Sequence, residues 1–120
     1  MGIVWHGNYV KYFEAAREAF GAKYNLDYLD IFIHGYATPI VHLDCNFRKV
    51  MQYKEVALVE AVYRKTDAAK IIFDYVIRKE STGELVCTAS TTQVFVTSGA
   101  RELALVAPEV FVKWREKAGI

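Results

Sequence analysis

At 120 residues the chain is long enough for one domain that buries roughly two-thirds of its unfolded surface. Fifteen Lys and Arg against fourteen Asp and Glu leave a net charge of +1, so the basic excess of a nucleic-acid footprint is missing. No apolar run approaches the roughly 20 residues of a membrane span, and the start lacks a signal peptide's basic-then-apolar order.

The chain opens Met1-Gly2-Ile3-Val4-Trp5-His6-Gly7-Asn8-Tyr9, a small-residue turn carrying a histidine, and runs straight into a helical pattern. Tyr9, Phe13, Ala16 and Phe20 recur at four, three and four residues, the stripe of a helix from Asn8 to Phe20. Tyr12, Ala15 and Ala19 widen that face, and Lys11, Glu14, Arg17 and Glu18 occupy much of the rest. A helix this apolar is expected to be wrapped by a sheet, with Gly21 as its stop.

Residues Lys23 to Thr38 read as irregular, with a helical turn around Leu26 to Ile31, and Pro39 discourages helix in Thr38. The period then becomes two. Val41, Leu43, Cys45 and Phe47 alternate with His42, Asp44, Asn46 and Arg48, a strand with one buried face. Further strands are expected over Glu55–Lys65, Lys70–Lys79 and Leu85–Thr97, with turns at Thr66-Asp67-Ala68-Ala69 and Ser81-Thr82-Gly83-Glu84. Short connections favour an antiparallel meander. Pro108 suits the first turn of a last helix through Lys117.

The order of one long helix, four strands and a short helix predicts an α+β domain over residues 1–120, a curved antiparallel sheet laid around the long helix. Hydrophobic residues reach 53%, with eight Tyr, seven Phe and two Trp, more than one small core hides, so a second copy is expected to cover part of the surface. Cys45 and Cys87 sit inside alternating strand patterns and read as buried free thiols of a cytoplasmic protein.

The residues Gly2-Ile3-Val4-Trp5-His6-Gly7-Asn8-Tyr9 followed by Tyr12-Phe13-Glu14-Ala15-Ala16-Arg17 resemble the start of hot-dog-fold acyl-CoA thioesterases. The branch is the one that includes hydroxybenzoyl-CoA thioesterase and the Tol–Pal-associated thioesterases. Thr38-Pro39-Ile40-Val41, Phe47-Arg48-Lys49, Ile72 to Arg78 and Thr88-Ala89-Ser90-Thr91 agree in order. The resemblance implies a sheet wrapped around the long helix, a homodimer or homotetramer with active sites between subunits, and hydrolysis of a coenzyme A thioester without a cofactor or metal. Backbone N–H groups at the helix start, matching His6, Gly7, Asn8 and Tyr9, would hold the thioester oxygen, and the histidine matching His6 matters for activity.

The resemblance also implies a strand before this motif and an aspartate three positions ahead of Gly2, which would fall before Met1. The expectation is a chain that begins at an internal methionine. The alternative is an acyl-CoA-binding hot-dog module that no longer cleaves, and a hot-dog dehydratase fits the helix entry less well.

A neutral imidazole near a helix start can orient water or donate to a thioester oxygen, which places His6 and Tyr9 as the catalytic candidates. Gly7 and Asn8 supply substrate-binding amides, Asn8 doubling as helix cap. Arg64, Lys65 and Lys70 flank one strand turn and are candidates for the phosphates of coenzyme A. Glu14 reads as a solvated or ion-paired face residue, and as the acid–base candidate if the chain is active as written. His42 and Asp44 share a strand face, but two ligands without a third are a weak metal signal.

Overall fold

The computed structural model describes residues 6–26, 28–52 and 54–120, with the side chains of His6, Gly7, Asn8 and Tyr28 outside the description. The first described element is the helix α1, His6–Tyr24, which already includes His6 and Gly7 ahead of the predicted Asn8. Its stripe turns inward as the periodicity requires: Phe13 is fully buried, Tyr9 is 3% exposed, and Ala16 and Phe20 pack at the margin of the core.

Gly21 does not stop this helix, which continues to Tyr24. The stop is Asn25, whose φ of 58° is the left-handed conformation, and the Leu26 N–H returns to the Gly21 carbonyl at 2.9 Å. Glycine at 21 answers a different need. A Cβ there would sit 2.8 Å from the Leu26 carbonyl oxygen, so the returning chain requires a bare backbone. The indole of Trp114 donates to the Tyr24 carbonyl at 2.9 Å, satisfying one more orphan acceptor at the helix end.

A short helix α2, Tyr28–Ile33, and a two-residue strand β1, Tyr36–Ala37, follow. The main strands are β2, Ile40–Phe47; β3, Ala57–Arg64; β4, Lys70–Lys79; and β5, Leu85–Val94. The chain ends with β6, Val96–Thr97, and helix α3, Glu109–Ala118, whose C-cap is Gly119 in the left-handed conformation. The strand predicted to run unbroken to Thr97 breaks at Phe95, a fully buried residue, and Val96 and Thr97 peel away to pair with β1.

The four-stranded sheet is antiparallel in the order β2-β5-β4-β3. Three strands form the expected meander, but the first strand pairs with the last rather than with its successor. Residues 48–56 are too long for a tight hairpin and are held elsewhere. The Arg48 and Lys49 N–H groups both reach the Val86 carbonyl, at 2.7 and 3.2 Å, and Met51 is fully buried, so the segment crosses the end of the sheet.

Ile71, Phe73, Tyr75 and Ile77 of β4, with Cys87, Ala89 and Thr91 of β5, form the concave face that receives α1. Phe13 stacks on Tyr75 at 4.6 Å between ring centroids and Phe20 meets Phe73 edge-on at 4.9 Å. This is the hot-dog arrangement, a sheet curved around one long helix. Among the strands, β2 departs from the expected burial. Its apolar residues Val41, Leu43 and Phe47 are 60%, 44% and 46% exposed, because β2 is an edge strand that α1 meets only near its first described turn, where Tyr9 touches Phe47.

Gly21→Ala tests the close approach at the helix end. Alanine alone would strengthen a helix interior by about 1 kcal/mol, yet overpacking against a backbone oxygen costs about 1–3 kcal/mol, so a net loss of about 1 kcal/mol is expected in urea denaturation. A more stable variant would show that Leu26 yields freely.

Candidate active site

The described part of α1 begins at His6, and at a helix N-terminus the N–H groups of the first turn have no partner four positions back. They carry the positive end of the helix dipole and suit a developing negative charge. With His6 and Gly7 already helical, Asn8 stands inside α1 rather than at its cap. The imidazole of His6 and the Asn8 side chain lie outside the described residues.

Tyr9 pins this turn to the sheet. Its ring meets Phe47 of β2 at 5.0 Å and Tyr12 at 5.8 Å, and the residue is almost fully buried. Burial pushes its phenol up, partly offset by a backbone hydrogen bond at Met51. The ring is therefore a neutral wedge that holds the first turn of α1 against β2.

Beneath it lie the two thiols. Cys87 faces Phe47 in register and Cys45 faces Ala89, so both cysteines project to the concave side of adjacent strands. Both are free, Cys45 half-buried and Cys87 buried. Burial, then the neighbouring Cys45, push the Cys87 thiol up to about 11. Burial, then the Asp44 charge, also raise Cys45. Neither is a thiolate at neutral pH, which removes both as nucleophiles.

Charged groups surround this end of the sheet. Lys49 pairs with Glu84, and Lys79 reaches Glu55 at 3.3 Å. The Gln52 N–H donates to Glu55 at 2.7 Å and, with Lys79, holds that carboxyl below its usual range. The Lys49 ammonium does the same for Glu84. Arg48, next to Phe47 in the chain, is exposed at the same end.

The sequence-predicted phosphate group stands elsewhere. Tyr63, just before Arg64, stacks on Phe20 at 5.9 Å, which puts Arg64, Lys65 and Lys70 near the C-terminal end of α1. From His6 to Phe20 is fourteen residues, about 21 Å along the axis. Within one chain the structure therefore does not bring these residues to the helix start. Asp74 grips Arg64 through both guanidinium branches, one at 3.0 Å, and Lys65 and Lys70 are exposed. Lys65 and Lys23 border a groove of ≈660 Å³ between α1 and β3, also remote from His6.

Glu14 is exposed two turns along α1, about 12 Å from His6. His42 and Asp44 lie on the outer face of the sheet opposite Thr92 and Ser90, and no third ligand gathers with them among the described residues. The residue that sequence reasoning missed is Arg17. Counted as part of the polar face, it is only 9% exposed. The signal was present, since Arg17 stands four positions after Phe13 and three before Phe20, on the stripe itself.

The profile of the thioesterase-like superfamily matches residues 1–114. A Bacillus subtilis (strain 168) protein, YneP, named as a candidate acyl-CoA thioesterase, is 29% identical over 96 residues, 80% of this chain and 69% of its own length. The crystal structure of a DHNA-CoA thioesterase from Staphylococcus aureus is 28% identical, with a TM-score of 0.86 over 99% of this chain and 78% of that one. The 4-hydroxybenzoyl-CoA thioesterase from Pseudomonas sp. strain CBS-3 shares the fold at a TM-score of 0.77 and 22% identity, over 94% and 86% of the two chains.

The thiol beneath Tyr9 carries a stability signature. Folded Cys87 holds its proton to about 11, against an ordinary 9.0, so between these values the unfolded chain binds fewer protons than the folded one. Stability is therefore intact below pH 9 and falls as pH rises, by up to about 2–3 kcal/mol from this group. Denaturation midpoints from pH 8 to 11 should fall more steeply for the wild type than for Cys87→Ala. Parallel slopes would contradict the assignment.

Proposed function

This chain belongs to the thioesterase-like superfamily, and from that premise we propose that it hydrolyses acyl-CoA thioesters to the free acid and coenzyme A. Supporting the reading is the anchoring of the first described turn of α1 by Tyr9 against Phe47; the reading takes the helix to start at this turn, so that the amides of His6, Gly7 and Asn8 have no acceptors inside it. Seated there, the thioester carbonyl oxygen gains hydrogen bonds that strengthen as it becomes an oxyanion. One such donor typically contributes about 3 kcal/mol to lowering the barrier.

Water adds to the carbonyl carbon and gives up a proton. The tetrahedral intermediate collapses, the C–S bond breaks, and the coenzyme A sulfur leaves as thiolate and takes up a proton. His6 serves this step by orienting water or carrying the proton. A carboxylate placed ahead of Gly2, as the family resemblance implies, would act as nucleophile or base. Arg48, beside the anchoring Phe47, is the cation for the coenzyme A phosphates at this end, and Arg64, Lys65 and Lys70 serve them only from a second subunit.

A homodimer or homotetramer completes the site in this reading. Supporting it are the exposed apolar side chains of β2 and that strand's position at the sheet edge, a combination that proteins normally cover. Among the described residues no helix is long and apolar enough to cross a membrane.

Hydrolysis of aromatic, short and long acyl-CoAs should be followed with this chain, with a version extended upstream of Met1, and with His6→Ala in each. His6→Ala is expected to lower kcat/KM by about 10²-fold. Arg48→Ala should raise KM several-fold with kcat unchanged. Tight binding without turnover by every version would leave a binding module, and neither binding nor turnover would end the proposal. Leu43→Glu should shift the sedimenting species toward monomer.

A further inference from the structure

Arg17 is the one charged side chain in the core among the described residues. Its Nη1 donates to the Tyr75 hydroxyl at 3.0 Å, and that hydroxyl is 2.7 Å from the Thr91 Oγ1, itself buried. Tyr75 is a neutral partner. No carboxylate forms an ion pair with Arg17 among the described residues, whereas Arg64 is held by Asp74. A guanidinium has five N–H donors, and removing it from water is costly unless an anion and further acceptors replace the lost solvation.

Arg17 lines a cavity of ≈320 Å³ with Glu14, Glu18, Thr38 and Gln93. Gln93 Nε2 donates to the Thr38 carbonyl at 2.9 Å, tying the β5 wall to the segment before β2. Glu14 and Glu18 are exposed and stand at the rim, where water screens them, while the guanidinium lies on the floor. Among the described residues the floor therefore carries a positive charge without an anionic partner, beside the Thr38 hydroxyl. The cavity lies about 16 Å along α1 from His6, eleven residues on, and is distinct from the helix start in the same chain.

We propose that this cavity is a carboxylate-binding site, with the Arg17 guanidinium as the group that recognises the anion. A planar carboxylate suits the fork of an arginine, accepting two parallel N–H bonds while Tyr75 keeps the third branch in place. The carboxylate has two chemical sources: a free acid of the kind that thioester hydrolysis releases, or a carboxylate at the far end of an acyl group. Only the second source rests on the thioesterase reading, and binding needs no turnover.

The test uses the whole chain labelled with ¹⁵N and follows the Arg17 Nε–H resonance, assigned through Arg17→Lys. Benzoate should move that resonance and benzamide should not. Affinity for benzoate should fall at least tenfold in Arg17→Gln and in Arg17→Lys, remain in His6→Ala, and be kept or improved in Glu14→Gln and Glu18→Gln. Should Arg17→Gln fail to fold, Thr38→Val on the opposite wall is expected to weaken benzoate binding several-fold. Glutaryl-CoA binding tighter than butyryl-CoA, with the difference lost in Arg17→Gln, would identify the acyl group as the source; a response to benzoate alone would identify the free acid. The proposal is overturned if no carboxylate moves the resonance, or if Arg17→Gln binds benzoate as tightly as the wild type. It is equally overturned if Glu14→Gln or Glu18→Gln shifts the resonance in ligand-free protein, since the anion would then come from the chain itself.

Discussion

The seating of the α1 aromatic stripe in the concave face of the sheet governs the rest of the molecule. Phe13 on Tyr75 and Phe20 on Phe73 fix the helix along the sheet, and Tyr9 against Phe47 fixes its first turn beside the end of β2. Each fully buried aromatic contributes about 1.5–3 kcal/mol by leaving water, so the rotation and register of α1 are not free to drift. Because the helix cannot turn, the direction of its leading amides is also set. The stripe that builds the core thus aims the groups proposed to meet the substrate.

The same packing explains what is left uncovered. Phe13 and Phe20 of α1 pack on Tyr75 and Phe73 of β4 and on Tyr63 of β3, and the outlying edge strand β2 keeps much of its apolar surface in solvent. A core built this way is asymmetric: dense under the helix, unfinished at the edge beside the helix start. That places the incomplete surface next to the proposed reaction centre. A second copy would therefore close the pocket as well as bury β2.

Much of this was legible in the residues. The four-three-four spacing of Tyr9, Phe13, Ala16 and Phe20 gave the helix and its buried face, and period-two runs located all four main strands to within two or three residues. The pairing of β2 with β5 was not legible, since it depends on Met51 and the two amides on Val86 carrying the chain across the sheet, contacts remote in sequence. Gly21 misled because a glycine near a helix end usually marks the stop, whereas here it makes room for the Leu26 carbonyl. Of the site, a helix near His6-Gly7-Asn8 was readable, and the described helix includes all three residues. The separation of Arg64, Lys65 and Lys70 from it was not, because strand patterns do not say which end of a helix a hairpin meets. Arg17 was overlooked because charge was taken to mean surface, against its position on the stripe.

The central claim is that the amides of His6, Gly7 and Asn8 receive the acyl oxygen. Amide chemical shifts read this directly when the protein binds a non-hydrolysable ketone analogue of an acyl-CoA, with the oxygen retained and sulfur replaced by methylene. A hydrogen bond to that oxygen should move one or more of these three amide protons downfield, with residues beyond the first turn of α1 changing less. Saturating binding that leaves all three where they stood would show that the helix start does not hold the carbonyl.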